Sequence, residues 1–236
     1  MTGRPPGKMR SPFLPLLFFL AFPCVLPPGA VGGTGSGFPA VVEKVEAGSV
    51  MIEARNRKTS HFGSGFFLES PEVVVTAYHV IEGARRIRVA IPGTFLTSDA
   101  LLVSASPEWD IAVLRVSWPE EVGFPGLVLS REGEDLPVGT EVAYTGYGLG
   151  MDEAFLKVLS TYRGIISSRV PHGDGHLYHL SGLVSRGLSG CALYLPESGE
   201  VVGVVTRHFG PEDLGMGFGG ATPGRIVRRL VEGVLK

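Results

Sequence analysis

Apolar residues fall in short runs along most of the chain. Val, Ile, Leu and Phe crowd positions 49–54, 65–68, 73–77, 87–91, 100–104 and 111–116, then 141–146, 155–167, 177–180, 192–195 and 201–206. Most runs are bounded by Gly, Pro, Ser or Asp, residues that supply the backbone angles of tight turns and so end a strand. This spacing predicts roughly a dozen β-strands, arranged as a sandwich or a pair of barrels. The stretch 118–137 interrupts the pattern with Pro, Glu and Gly and reads as the connection between two β halves. The last segment, 223–236, has another period: Ile226, Leu230 and Val234 recur every four residues among Arg225, Arg228, Arg229 and Glu232. That spacing predicts one amphipathic helix closing the domain, with Pro223 at its start.

Composition narrows the class further. With 34 glycines and 18 prolines in 236 residues and no collagen-like period, a helical bundle is excluded. A hydrophobic fraction of 44% against 19% charged residues provides material for a core and too little charge for a disordered chain. Lys and Arg number 21 against 23 Asp and Glu, and no window gathers the basic residues into a stripe that could follow a phosphate backbone. This argues against nucleic acid as a partner.

The first forty residues run from a basic head (Arg4, Lys8, Arg10) through an apolar stretch, 13–26, to a small-residue stretch, 29–37. That order is the pattern of a secretory signal peptide, with a mature chain beginning between 31 and 38. A retained anchor is the alternative. Pro15 and Pro23 interrupt the apolar run, however, and it is shorter than the ~20 residues that cross a bilayer as a helix. The expectation is therefore a signal and linker over 1–36 and one exported domain over 37–236, with halves of approximately 37–125 and 126–236, touching a membrane only through an uncleaved signal. Such a mature chain carries 18 basic and 23 acidic side chains and keeps only Cys191, which rules out an internal disulfide.

Three local patterns stand in the order His, Asp, Ser: Thr76-Ala77-Tyr78-His79-Val80, Trp109-Asp110-Ile111-Ala112, and Gly187-Leu188-Ser189-Gly190. A serine hydroxyl is a poor nucleophile at neutral pH. It needs a base to take its proton and a carboxylate to orient that base and stabilise it once charged. With Gly63-Ser64-Gly65-Phe66 before them and Gly217-Phe218 and Pro223 after, these motifs make the sequence resemble the trypsin-like (chymotrypsin-fold) serine proteases, in particular the protease domain of the bacterial HtrA/Deg family.

The resemblance implies an all-β fold: two six-stranded antiparallel β-barrels with the active site in the cleft between them, plus the C-terminal helix. It makes His79 the general base, Asp110 its orienting carboxylate and Ser189 the nucleophile, with the amides of Gly187 and Ser189 as the oxyanion hole. It places Thr206 near the aspartate, at the start of the edge that pairs with substrate, with Arg207 and His208 following as substrate contacts. Leu183 falls at the base of the primary specificity pocket, where an apolar side chain favours a small or medium apolar residue before the cut. The expected partners are polypeptides, no cofactor is needed, and a peptide-binding PDZ domain of the kind many relatives append is not expected.

Two departures stand out. Family members usually carry Asn or Asp where Leu188 stands and a second Gly where Cys191 stands. In digestive relatives the acidic residue pairs with a newly cut N-terminal amine, which leucine cannot do, so no such zymogen cleavage is expected. Cys191 is expected to be a buried, inert thiol rather than a nucleophile. His172, His176, His179 and Asp174 invite a metal reading, but Gly173 and Gly175 rule out a common helical face. A solvated substrate-side loop is expected there. Two other functions compete, a catalytically silent peptide-binding or scaffold relative and a serine esterase, although the motif order differs from the strand-to-helix nucleophile elbow of α/β-hydrolases.

Overall fold

The computed structural model describes residues 37–91, 93–118, 123–131, 135–148, 158–209, 216–232 and 234, without the side chains of 208, 209, 216 and 217. The expected signal over 1–36 and the first residues of the expected run 155–167 lie outside the described residues.

A ten-residue helix, α1 (Phe38–Ala47), precedes six strands: β1 (Ser49–Arg55), β2 (Ser60–Leu68), β3 (Ser70–Ala77), β4 (Arg86–Ala90), β5 (Thr97–Ser106) and β6 (Ile111–Val116). A single helical turn, α2 (Tyr78–Ile81), separates β3 from β4. The strands close into an antiparallel barrel in the order β1-β2-β3-β6-β5-β4. The second barrel comprises β7 (Glu141–Gly146), β8 (Ser160–His172), β9 (Gly175–Ser185), β10 (Ala192–Tyr194), β11 (Val201–Phe209) and β12 (Met216–Pro223), in the order β10-β11-β12-β9-β8-β7. Helix α3 (Gly224–Val231) follows directly.

The period-two arithmetic of a strand explains which runs are continuous. In β1, Val50, Ile52 and Ala54 are buried inside the barrel while Met51, Glu53 and Arg55 alternate with them. From Val73 to Ala77 in β3 and along β6 all but Thr76 and Arg115 are apolar, because both faces are covered. Val74, Ala77, Ala112 and Leu114 fill the first barrel, whereas Val73, Val75, Ile111 and Val113 face the seam between barrels. β11 repeats the arrangement, with Val202 and Val205 inside the second barrel and Val201 and Val204 on the seam.

The inter-barrel segment is stapled to both halves. Leu127 bonds through its backbone to Phe67 and Glu69, and Val128 and Ser130 bond to Val201. The fully buried Leu127 side chain contributes about 2–3 kcal/mol to holding the seam. α3 closes the same seam with Ile226, Val227 and Val231, and Pro223 stands at its N-cap in the extended conformation that proline prefers. The helix is shorter than predicted: after Glu232, Val234 belongs to a turn bonded to the Val231 carbonyl.

α1 was not predicted, although Phe38, Val41 and Val45 have helical spacing and a proline sits in its first turn. It docks Val45 into the seam, with Phe38 and Val41 packed around it.

Candidate active site

β3 runs apolar up to Ala77 and delivers the chain into α2, whose N-cap has no side-chain hydrogen bond of its own. Asp110 supplies one from a distance. Its Oδ1 accepts the His79 backbone N–H at 2.8 Å, while its Oδ2 lies 2.7 Å from His79 Nδ1. The Asp110 carbonyl accepts the Tyr78 N–H at 3.1 Å, so one residue fixes both the backbone and the ring of His79. Asp110 holds this position with a left-handed backbone, φ 56, which Asp tolerates better than most residues. The exposures differ in a useful way: the Asp110 side chain is 11% exposed and that of His79 46%, so the carboxylate is shielded while the imidazole reaches the solvent.

Ser189 sits on the tight turn between β9 and β10. The Ser64 N–H donates to the Ser189 carbonyl at 2.8 Å, and the Gly190 N–H donates to Val205 at 2.7 Å, tying the turn to both barrels. Gly190 has φ 92, and a Cβ there would lie 2.1 Å from the Ser64 carbonyl oxygen, so only glycine fits. Gly187 also has φ 91 and is buried. Its carbonyl accepts the Ser64 hydroxyl at 2.7 Å, and the same hydroxyl accepts the Tyr147 N–H at 2.8 Å. Leu188 is fully buried in the second barrel's core with Tyr144, Leu180, Val184 and Val205. The loop before the serine is therefore held by an apolar anchor inside one barrel and a hydroxyl bridge from the other.

His79, Asp110, Gly187, Ser189, Thr206 and Arg207 all line one open cleft of about 590 Å³, to which both barrels contribute. Thr206 is buried and reaches the aspartate's neighbourhood indirectly. Its hydroxyl lies 3.4 Å from that of Thr222, which donates to the Trp109 carbonyl at 2.7 Å. His208 continues β11 opposite Gly219, and its side chain lies outside the described residues. Leu183 does not line the cleft. It pairs across strands with Phe218 as an exposed apolar pair, 54% and 53% accessible.

Sequence reading missed Ser60, His61, Phe62, Val80 and Arg186, which complete the cleft wall, and the two hydroxyls of Ser64 and Thr222. Ser64 stands in the Gly63-Ser64-Gly65 motif already noted; Thr222 carried no local signal.

The segment 172–179 is corrected from a loop to the β8–β9 hairpin, which His172 and Gly175 close as a pair. Its histidines diverge. His172 Nε2 meets the Glu108 carbonyl at 2.7 Å, His176 lies 3.2 Å from Asp135, and His179 packs edge-on against Phe218. Burial pushes the His176 imidazole below its ordinary range. Cys191 is fully buried beside Gly146, and burial pushes its thiol far up. A protonated, inaccessible thiol is not a nucleophile. Iodoacetamide is therefore expected to leave Cys191 of the native protein unmodified and to alkylate it only in denaturant. Rapid native alkylation with loss of activity would reinstate a cysteine mechanism.

Comparison with known proteins agrees with the fold. Residues 63–204 match the family model of the trypsin-like peptidase domain. Protease Do-like 1, chloroplastic, of Arabidopsis thaliana is 33% identical over 72% of this chain and 39% of its own length. A probable periplasmic serine endoprotease DegP-like of Brucella suis is 29% identical over 74% of this chain and 33% of its own length, so the chain spans well under half of either relative. The fold is shared with the crystal structure of the serine endoprotease from Yersinia pestis, at a TM-score of 0.67 and 24% identity over 85% of this chain and 67% of that one. The ordered motifs, the paired six-stranded barrels and the family match together make this chain a member of the trypsin-like peptidase domain family, closely related to the HtrA/DegP serine proteases.

Proposed function

We propose that this domain is an exported serine endopeptidase that cleaves polypeptides through an acyl-enzyme on Ser189. The observation that carries the reading is the His79–Asp110 pair. Both carboxylate oxygens are committed to one histidine, its Nδ1 is occupied, and among the described residues its other ring nitrogen is left to take a proton from the cleft. In this reading His79 takes the Ser189 proton as the hydroxyl attacks, Asp110 stabilises the resulting imidazolium, and the amides of Gly187 and Ser189 receive the developing oxyanion. His79 then returns the proton to the leaving amine and activates the water that hydrolyses the ester.

β10 begins at Ala192, which pairs with Val204, so among the described residues the segment of β11 from Thr206 onward has a strand partner, β12, on one edge only. An extended peptide can add to that edge, past Arg207 and His208. The signal-like start at 1–36, and the periplasmic description of the Brucella relative, support export.

A fluorophosphonate probe tests the reading, together with casein hydrolysis. Labelling of the wild type that is abolished in Ser189→Ala, with casein cleaved, is expected. No label would favour a silent peptide-binding relative, and label with ester turnover but no peptide cleavage would favour an esterase.

Ser64 gives a second prediction. Removing its buried hydroxyl leaves the Gly187 carbonyl and the Tyr147 N–H unpaired, which costs about 1–3 kcal/mol per group and loosens the loop that presents the oxyanion donors. Ser64→Ala is expected to lower kcat at least about tenfold with little change in KM. An unchanged kcat would show that the hydroxyl does not position the loop.

A further inference from the structure

The cleft is charged against the balance of the chain. Beyond residue 36, acidic side chains outnumber basic ones by 23 to 18. Yet the described cleft wall carries Arg186, Arg207, His61 and His79, and its single carboxylate, Asp110, is spent on His79. Elsewhere five arginines sit within ion-pair distance of carboxylates: Arg86 with Asp99, Arg88 with Glu53, Arg163 with Glu141, Arg225 with Asp135 and Arg229 with Asp174. Arg186 and Arg207 have no such partner among the described residues, a state they share with Arg55, Arg57, Arg85, Arg115, Arg131, Arg169 and Arg228, and of these nine only Arg186 and Arg207 line the cleft.

Their positions bracket the place where a substrate would lie. Arg186 is exposed and stands three residues before Ser189, at the rim of the nucleophile turn. Arg207 follows Thr206 on the part of β11 that has no second strand neighbour among the described residues. His61 faces the same space from β2 of the other barrel. A concave site of one sign raises the local concentration of oppositely charged ligand, and a guanidinium can grip a carboxylate through two parallel N–H donors.

We infer that the cleft selects polypeptide segments carrying Asp or Glu side chains beside the scissile bond, gripped by Arg186 and Arg207. This rests on the endopeptidase reading above and adds the substrate class. Exposed pairs are weak singly, so the selectivity is a few-fold per arginine and sensitive to salt.

The test uses three matched peptide series with the same residue at the cut and flanks of Asp/Glu, Asn/Gln or Lys. Wild-type kcat/KM is expected to follow the order acidic, amide, basic. The acidic series should exceed the amide series by about three- to tenfold at low salt, with the ratio narrowing at high salt. The double variant Arg186→Gln/Arg207→Gln should bring that ratio close to one. Equal kcat/KM for the acidic and amide series, or a preference that survives in the double variant, overturns the inference while leaving the protease reading intact. Anisotropy binding of the same peptides to Ser189→Ala reads the preference without chemistry, so a protein that fails the fluorophosphonate test still decides it.

Discussion

Asp110→Asn is expected to lower kcat by about 10⁴-fold while leaving the fold intact. The two oxygens of Asp110 each face an N–H of the same residue, the backbone of His79 at 2.8 Å and its Nδ1 at 2.7 Å. An asparagine has only one acceptor oxygen to offer. If that oxygen keeps the backbone N–H, its NH₂ group faces Nδ1, which must then accept, and the ring proton moves to the nitrogen that should receive the Ser189 proton. If the amide turns over, two donors oppose each other at the start of α2. The left-handed backbone at residue 110 suits asparagine at least as well as aspartate, so thermal denaturation should change little. This separates the chemistry from stability. A variant that keeps more than about a tenth of wild-type kcat would show that the carboxylate does not set the histidine's tautomer.

His79, Asp110 and Ser189 were legible in the sequence because each sits in a short motif whose neighbours have local jobs: the apolar run of β3, the turn before β6 and the glycines around the serine. What joins those motifs was not legible. Ser64 meets the carbonyl of Gly187, and Thr222 that of Trp109, each more than a hundred residues away, and a lone Ser or Thr in a strand carries no sign of such a partner. The strand β12 escaped notice because Gly217, Gly219 and Gly220 replace the β-branched residues that mark a strand, although its ladder to β9 and β11 is long. β8 extends to His172 through Ser168, Arg169, Val170, Pro171 and His172, none of them buried, so the apolar run faded before the backbone pairing did. α1 was obscured for another reason: its helical spacing begins just where the signal-like segment ends, and only docking on the seam distinguishes it. Arg186 and Arg207 were visible as charges, but that they lack counter-charges depends on where the carboxylates fold.

Leu188→Ala is expected to destabilise the domain by about 2–5 kcal/mol, lowering Tm by roughly 5–15 °C, and to reduce kcat at least about tenfold at a temperature where the variant is still folded. Leu188 is fully buried among Tyr144, Leu180, Val184, Cys191 and Val205, and its two neighbours along the chain are Gly187 and Ser189. Truncating it removes the contacts that hold the loop down and leaves a cavity that the closed barrel cannot collapse around. Leu188→Met, similar in volume and flexible, should recover most of both losses. Leu188→Asp should be the most damaging change, because it buries a carboxylate in a cluster whose described members are all apolar or aromatic. Under the proposed function the apolar anchor would take the place of the buried ion pair to a freshly cut N-terminus expected in digestive relatives, so acetylating or extending the N-terminus of the domain should leave activity within about twofold, whereas an ion-pair mechanism would need that amine buried at a cost of several kcal/mol when blocked. Activity that appears only after the N-terminus is trimmed, or a Leu188→Ala protein with unaltered Tm and kcat, would show that the loop is held by something other than this side chain.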